Sequence, residues 1–299
     1  MDMLRIEGLV KRFGDKEVLR GLDLSVPEGS IFGFIGKNGA GKTTTMKIAL
    51  GLLGADSGEV YVNGERVSFG NTPTNRFIGY LPDVPEFYSF MTAEEYLNFC
   101  GEITGIDKNE NKKRSGELLE LVGLGAEKHR IKGYSRGMKQ RLGIAQALLA
   151  EPKLLICDEP TSALDPVGRK EILDILLSIK DRTTVMFSTH ILSDVERIST
   201  DVAFLDGGKV QIHGKLSDIK TRFRSDEYSV KVGNPSDATT LCAAFPLMKK
   251  ISDDTLAFDE KSHTVQSVMR FLSDKSIPIL KLERIEPTLE ALFMEAVEK

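Results

Sequence analysis

The chain has 299 residues, of which 41% are hydrophobic and 28% charged, and its formal net charge is −4. That length exceeds one domain of ordinary size, so two domains are expected. The slightly acidic balance argues against a nucleic-acid partner or an anionic lipid surface.

From Leu4 to Leu24 apolar and polar residues alternate around two turn signals, Gly14-Asp15 and Pro27-Glu-Gly29. This reads as two antiparallel strands. A short apolar run, Ser30-Ile-Phe-Gly-Phe-Ile35, then suits a buried strand, and Thr44 to Leu50 suits a helix. Between them stands Gly36-Lys-Asn-Gly-Ala-Gly-Lys-Thr43, a complete G-x-x-x-x-G-K-[ST] phosphate loop. Its glycines allow successive backbone N–H groups to turn inward, so Asn38, Gly39, Ala40, Gly41 and Thr44 are expected to cradle phosphate oxygens. Lys42 would reach the terminal phosphates and the Thr43 hydroxyl would bind magnesium. The chain is expected to bind a nucleoside triphosphate.

Glu59–Val62, closed by Asn63-Gly64, reads as a hairpin edge. Thr92–Ile103 and Asn111–Val122 have helical spacing, with Thr92 and Glu95 forming a capping box, and Lys112–Arg114 reads as a solvated face. Ser135–Leu149 is a third helix. Leu154–Cys157 and Thr183–Phe187 are continuous apolar runs, as buried parallel strands require, and Cys157 is taken as a small core residue. Asp165-Pro166 is an N-cap followed by proline, which opens a helix to about Lys180. After the hairpin Val202–His213, short elements follow in the order strand, helix, two strands, helix and strand, closing on a helix from Pro287. The order βαββαβ resembles a split-βαβ domain. His263, near a helix start in this part, reads as a solvated polar residue.

Cys100, Cys157 and Cys242 lie far apart without metal-ligand spacing, which fits a reducing compartment. No apolar run approaches the ~18 residues that cross a bilayer, and the opening residues lack the blocks of a secretory signal. A cytoplasmic protein is expected, reaching a membrane through a partner.

The run Leu154-Leu-Ile-Cys-Asp158-Glu159 supplies an acidic strand end of the kind a phosphate-loop ATPase needs. Asp158 is placed to hold magnesium and Glu159 to act as general base on the attacking water. Tyr134-Ser-Arg-Gly-Met-Lys-Gln-Arg-Leu142 precedes this strand, Pro160-Thr-Ser-Ala-Leu-Asp165 follows it, and Ser188-Thr-His190 ends the next one. Five motifs in this order resemble the ATP-binding cassette family over residues 3–215.

The resemblance implies an α/β fold. It comprises a phosphate-loop cassette (1–218) with an antiparallel β subdomain and a helical subdomain (about 84–150), followed by a small α+β domain (219–299). It implies ATP and Mg²⁺ as cofactors and ATP hydrolysis as the activity. By the same resemblance Phe13 takes the place of the aromatic that stacks on adenine, with Val18 beside it. Ser135 and Gly137 match the signature residues that meet the γ-phosphate bound on a second subunit. Asp165 matches the aspartate at the subunit seam, and His190 the histidine that contacts the γ-phosphate. The implied partners are a second cassette, as homodimer or heterodimer, and a separate polytopic membrane subunit.

Two positions depart from the family pattern. Asp83 stands where a glutamine that senses magnesium is expected, and Arg136 stands where the signature has glycine. The ending Glu286-Pro-Thr-Leu-Glu-Ala-Leu-Phe293 resembles exporters of the multidrug and bacitracin type, whose membrane subunits are separate chains of the ABC-2 class. An export subunit is therefore expected; an importer subunit and a soluble cassette ATPase are the alternatives. The aromatic run Val84–Met91 is expected to meet the membrane subunit.

Overall fold

Strands β1 (Asp2–Phe13) and β2 (Lys16–Pro27) alternate as expected, burying Leu4, Ile6 and Leu9 from one and Leu22, Leu24 and Val26 from the other. A register shift between Ile6 and Leu9 falls at Gly8, whose φ of +57° suits the left-handed turn of a bulge. The computed structural model describes residues 1–70, 73–222, 226–285 and 289–290. It divides into two units, Met1–Ser217 and Asp218–Leu292.

In the first unit, β3 (Ile31–Ile35) is buried along its whole length and leads through the phosphate loop into α1 (Lys42–Ala49). β4 (Ser57–Val62) and β5 (Glu65–Arg66) join the opening pair in an antiparallel sheet of order β2-β1-β4-β5. β6 (Ile78–Leu81) is a four-residue strand, too short for period-2 alternation to declare itself in the sequence.

Three helices come next: α2 (Ala93–Ile103), α3 (Lys108–Leu121) and α4 (Arg136–Leu148). The capping box at Thr92 forms, with Thr92 Oγ1 accepting from Glu95 N and Glu95 returning the bond. α3 begins three residues earlier than expected because Asp107 caps it, accepting from Asn109 N and Glu110 N. Arg114 is not simply solvated: it pairs with Glu110 at 2.7 Å and with Glu151 at 3.1 Å. Two glycines let α4 pack closely on β6, Gly79 against the helix backbone and Gly143 against the Leu81 side chain. A Cβ on Gly79 would stand 2.2 Å from Ala147 O, and one on Gly143 would stand 2.5 Å from Leu81 Cδ1.

β7 (Leu154–Cys157), α5 (Pro166–Ser178), β8 (Thr184–Thr189), the short α6 (Leu192–Ile198), β9 (Asp201–Asp206) and β10 (Lys209–Lys215) complete the core. The six-stranded sheet has the order β10-β9-β3-β8-β7-β6, parallel throughout except for β10 at one edge. Its register places Ile35 beside Thr189 and Cys157 beside Phe187. The segments leaving β3, β7 and β8 therefore emerge together, at the carboxyl end of a parallel sheet where ligands of open α/β folds bind.

α7 (Leu216–Arg222) begins at the limit of the first unit. The second unit holds β11 (Glu227–Val232), α8 (Pro235–Ala244), β12 (Lys249–Ser252), β13 (Thr255–Asp259), α9 (Val265–Asp274) and β14 (Ile279–Arg284). Its sheet order, β12-β13-β11-β14 with antiparallel neighbours, is a split-βαβ arrangement. Val230, Leu241, Phe258, Val268 and Leu272 form its own core. His263 differs from expectation: it is half-buried edge-on against Phe245, with ring centroids 5.0 Å apart and Nε2 shielded from solvent. Of the helix expected from Pro287, only Leu289 and Glu290 fall among the described residues, and the remainder lies outside them.

Candidate functional site: a phosphate-binding cleft

The phosphate loop turns through Gly39 (φ +82°) and Gly41 (φ +114°), both in the region that favours glycine. At Gly41 the need is double, since a Cβ would also meet Leu19 Cδ2 at 2.7 Å. α1 starts at the next residue, so its unpaired N–H groups face the loop. Lys42 is buried. Its ammonium donates to Gly36 O at 2.7 Å and lies 3.0 Å from Glu159 Oε1. The second contact is ionic, for its alignment leaves Glu159 Oε1 buried without a hydrogen bond. A buried charge of this kind persists only when paired.

The acidic strand end is held by the neighbouring strand. Ser188, fully buried on β8, donates its hydroxyl to Asp158 Oδ1 at 2.6 Å and accepts Glu159 N at 2.9 Å. One hydroxyl thus orients both acidic residues. The other carboxylate oxygen, Asp158 Oδ2, accepts the Thr43 hydroxyl at 2.7 Å. Glu159 has a φ of +48°, unusual for a residue with a side chain, and its Oε2 lies 2.9 Å from His190 Nδ1.

These groups surround a cleft of about 470 Å³. Of the residues expected from the sequence, Val18, Asn38, Gly39, Gly41, Lys42, Thr43, Thr44, Asp83, Asp158, Glu159 and His190 line it. Ala40 sits half-buried within the loop, and Phe13 stands half-exposed at the end of β1, outside the lining, with Lys11 Nζ 5.5 Å from its ring. Lys16 and Ser162 also line the cleft and were not expected. Ser162 follows Glu159 by three residues, and that proximity was the available signal; Lys16 lies in the turn region between the first strands, where a charge reads as ordinary solvation.

Ser135, Gly137 and Asp165 lie apart from the cleft, together in a separate hollow of about 320 Å³ with Arg136 and Leu164. Ser135 caps α4, accepting from Met138 N, and Asp165 caps α5, accepting from Gly168 N. The two departures from the family pattern meet each other: Arg136 Nη2 donates to Asp83 Oδ1 at 3.2 Å, and Gln140 Nε2 donates to Asp83 O at 2.6 Å. Burial pushes the Asp83 carboxyl above its ordinary range, with Arg136 opposing.

Among the described residues no cluster of three or more His, Cys, Asp or Glu side chains converges as a metal site. The hydroxyl of Thr43 and the carboxylate of Asp158 nevertheless form a hard-oxygen pair. That pair suits Mg²⁺, which takes one or two carboxylates and completes its shell with water and phosphate.

A family model described as "ABC transporter" matches residues 19–162, and one described as "ATP-binding protein DrrA1-3-like, C-terminal domain" matches residues 214–297. The chain is 44% identical over 231 residues to the uncharacterized ABC transporter ATP-binding protein YxlF of Bacillus subtilis (strain 168), covering 77% of each. This chain belongs to the ABC transporter family. The cassette is also 41% identical over 225 residues to the bacitracin transport ATP-binding protein BcrA of Bacillus licheniformis, covering 74% of this chain and 72% of that one. A solved dimeric ATP-binding cassette in a post-hydrolysis state, with ADP and phosphate bound, matches at a TM-score of 0.64 and 26% identity. That match covers 72% of this chain and 99% of that one. The cassette is an ATP-binding, ATP-hydrolysing subunit of a transporter, of the kind that pairs with another cassette and works with membrane subunits.

Proposed function

We propose that this subunit powers export through a separate polytopic membrane subunit, at the cytoplasmic face of the membrane. Its similarity to a bacitracin transport subunit carries this reading. Among the described residues no helix is long and apolar enough to cross a membrane, which fits a translocation path supplied by another chain. The half-exposed Tyr88 and exposed Phe90, beside Phe99 and Tyr96, offer that chain an aromatic seat.

In this reading Lys42 and the loop N–H groups hold the phosphates, while Thr43 and Asp158, with Asp83 nearby, hold Mg²⁺. The ion supplies charge neutralisation at the transferring phosphoryl group. Glu159 accepts a proton from the attacking water and His190 fixes the direction of that carboxylate. Ser135, Gly137 and Asp165 serve the nucleotide of a second cassette. The pairing is supported by the signature hollow lying apart from the chain's own cleft. Phe13 and Val18 flank the base. Among the described residues the domain at 219–299 shows no such constellation, and it acts as an accessory unit that stabilises the pair. Co-expression with a candidate polytopic membrane subunit tests the proposal. Copurification, ATPase stimulation and ATP-dependent efflux are expected, and uptake in place of efflux would assign it to import.

A further inference from the structure

Two contacts run side by side between the segments that follow β7 and β8. In the first, His190 Nδ1 lies 2.9 Å from Glu159 Oε2. In the second, Thr161, two residues after Glu159, donates its hydroxyl to Asp194 Oδ2 at 2.7 Å; Asp194 follows His190 by four. Thr161 and Asp194 are both buried, at 1% and 2% exposure. The remaining carboxylate oxygen accepts Arg169 Nη2 from α5 at 2.5 Å. Arg169 thereby offsets the buried charge, leaving Thr161 to set where that carboxylate points.

The turn that carries Glu159 needs outside support. Glu159 and Ala163 both take positive φ, +48° and +54°, which side-chain-bearing residues hold only when their surroundings impose it. The turn's own backbone bonds, Ser162 N to Glu159 O at 3.1 Å and Leu164 N to Thr161 O at 3.3 Å, are toward the long end of the usual range. Thr161 to Asp194 is shorter and buried, and it ties the turn to the segment that bears His190.

We infer that Asp194 is a positioning residue for ATP hydrolysis: through Thr161 it holds the turn that aims Glu159 at the cleft and keeps it in register with His190. The inference rests on the reading of Glu159 as general base. None of Thr161, Asp194 and Arg169 lines the cleft. Their contribution therefore falls on the rate of the chemical step and leaves nucleotide binding in place.

The test uses the full chain in single-turnover hydrolysis with protein in excess of ATP, beside an ATP-binding titration. Thr161→Val keeps the volume and removes the hydroxyl, and Thr161→Ser keeps the hydroxyl. Thr161→Val should slow hydrolysis about ten- to hundredfold, since small misplacements of a reacting group cost that much. Its ATP affinity should stay within about threefold of the parent, the signature of a loss confined to the transition state. Thr161→Ser should recover most of the rate. Combining Thr161→Val with Asp194→Asn should slow hydrolysis no further than the worse single change. A Thr161→Val chain at the parent rate, or one that loses affinity as much as rate, overturns the inference. Glu159→Gln in the same assay separates the two readings: an inactive Glu159→Gln beside a fully active Thr161→Val removes the role of Asp194 alone. A fully active Glu159→Gln removes the base assignment and the inference together.

Discussion

Lys42 and Glu159 face each other across 3.0 Å in the lining of the cleft, so the proposed phosphate-binding cation and the proposed base offset one another's charge. Phosphate oxygens of a bound nucleotide would compete with Glu159 for the same ammonium. On the proposed reading, nucleotide entry would draw the ammonium to phosphate and free the carboxylate for its water.

Glu159→Gln should reduce turnover by at least ~100-fold, the usual contribution of a general base. ATP binding should remain, because Lys42 keeps its bond to Gly36 O. Hydrolysis assays with a nucleotide-binding titration check this. Accumulation of an ATP-loaded pair of subunits by size-exclusion chromatography is the expected companion result.

Lys42→Ala should act on binding first. A charge-assisted contact to phosphate contributes about 2 kcal/mol, which corresponds to roughly 30-fold in affinity. Calorimetric titration with a non-hydrolysable ATP analogue measures it directly, and an unchanged dissociation constant would remove Lys42 from the phosphate site.

The Asp83–Arg136 pair separates stability from metal use. Both side chains are nearly half exposed, so breaking the pair with Arg136→Ala should change unfolding free energy by less than ~1 kcal/mol. Asp83→Asn removes a formal charge beside the Thr43–Asp158 pair and should raise the Mg²⁺ concentration for half-maximal hydrolysis several-fold, on the order of 3–10. A magnesium titration of the ATPase rate decides it.

Tyr88→Ser combined with Phe90→Ser should leave nucleotide binding intact and abolish stimulation by the membrane subunit. Phe87 is a poorer choice for this test. It is half-buried edge-on to Tyr96 at 5.1 Å, and its loss would disturb the local packing. Copurification of the double variant with its membrane partner at parental yield would relocate the docking surface.

Legibility followed distance along the chain. The phosphate loop, the acidic strand end and the caps at Thr92 and Asp165 were readable because each motif is contiguous and its chemistry is local. The start of α3 is hidden because Lys108–Arg114 is entirely polar and shows no helical periodicity, and its cap, Asp107, precedes that polar run. α6 opens at Ile191 with no side-chain cap, so nothing in the local sequence announces it. The contacts that organise the site lie beyond any motif: Thr161 and Asp194 are 33 residues apart, and Arg136 and Asp83 are 53 apart. Only folding brings them together.

The near-touching backbones at Gly79 act as a gauge. β6 neighbours β7, the strand that presents Asp158 and Glu159, and α4 carries Ser135 at its tip. Because no side chain cushions the contact at Gly79, any bulk there would push the helix that carries Ser135 away from the strand beside β7. A pair closing over two nucleotides would have to match the span from one chain's acidic strand end to its own signature serine twice at once. A single methyl group at Gly79 is therefore expected to change that span at both sites of a pair together.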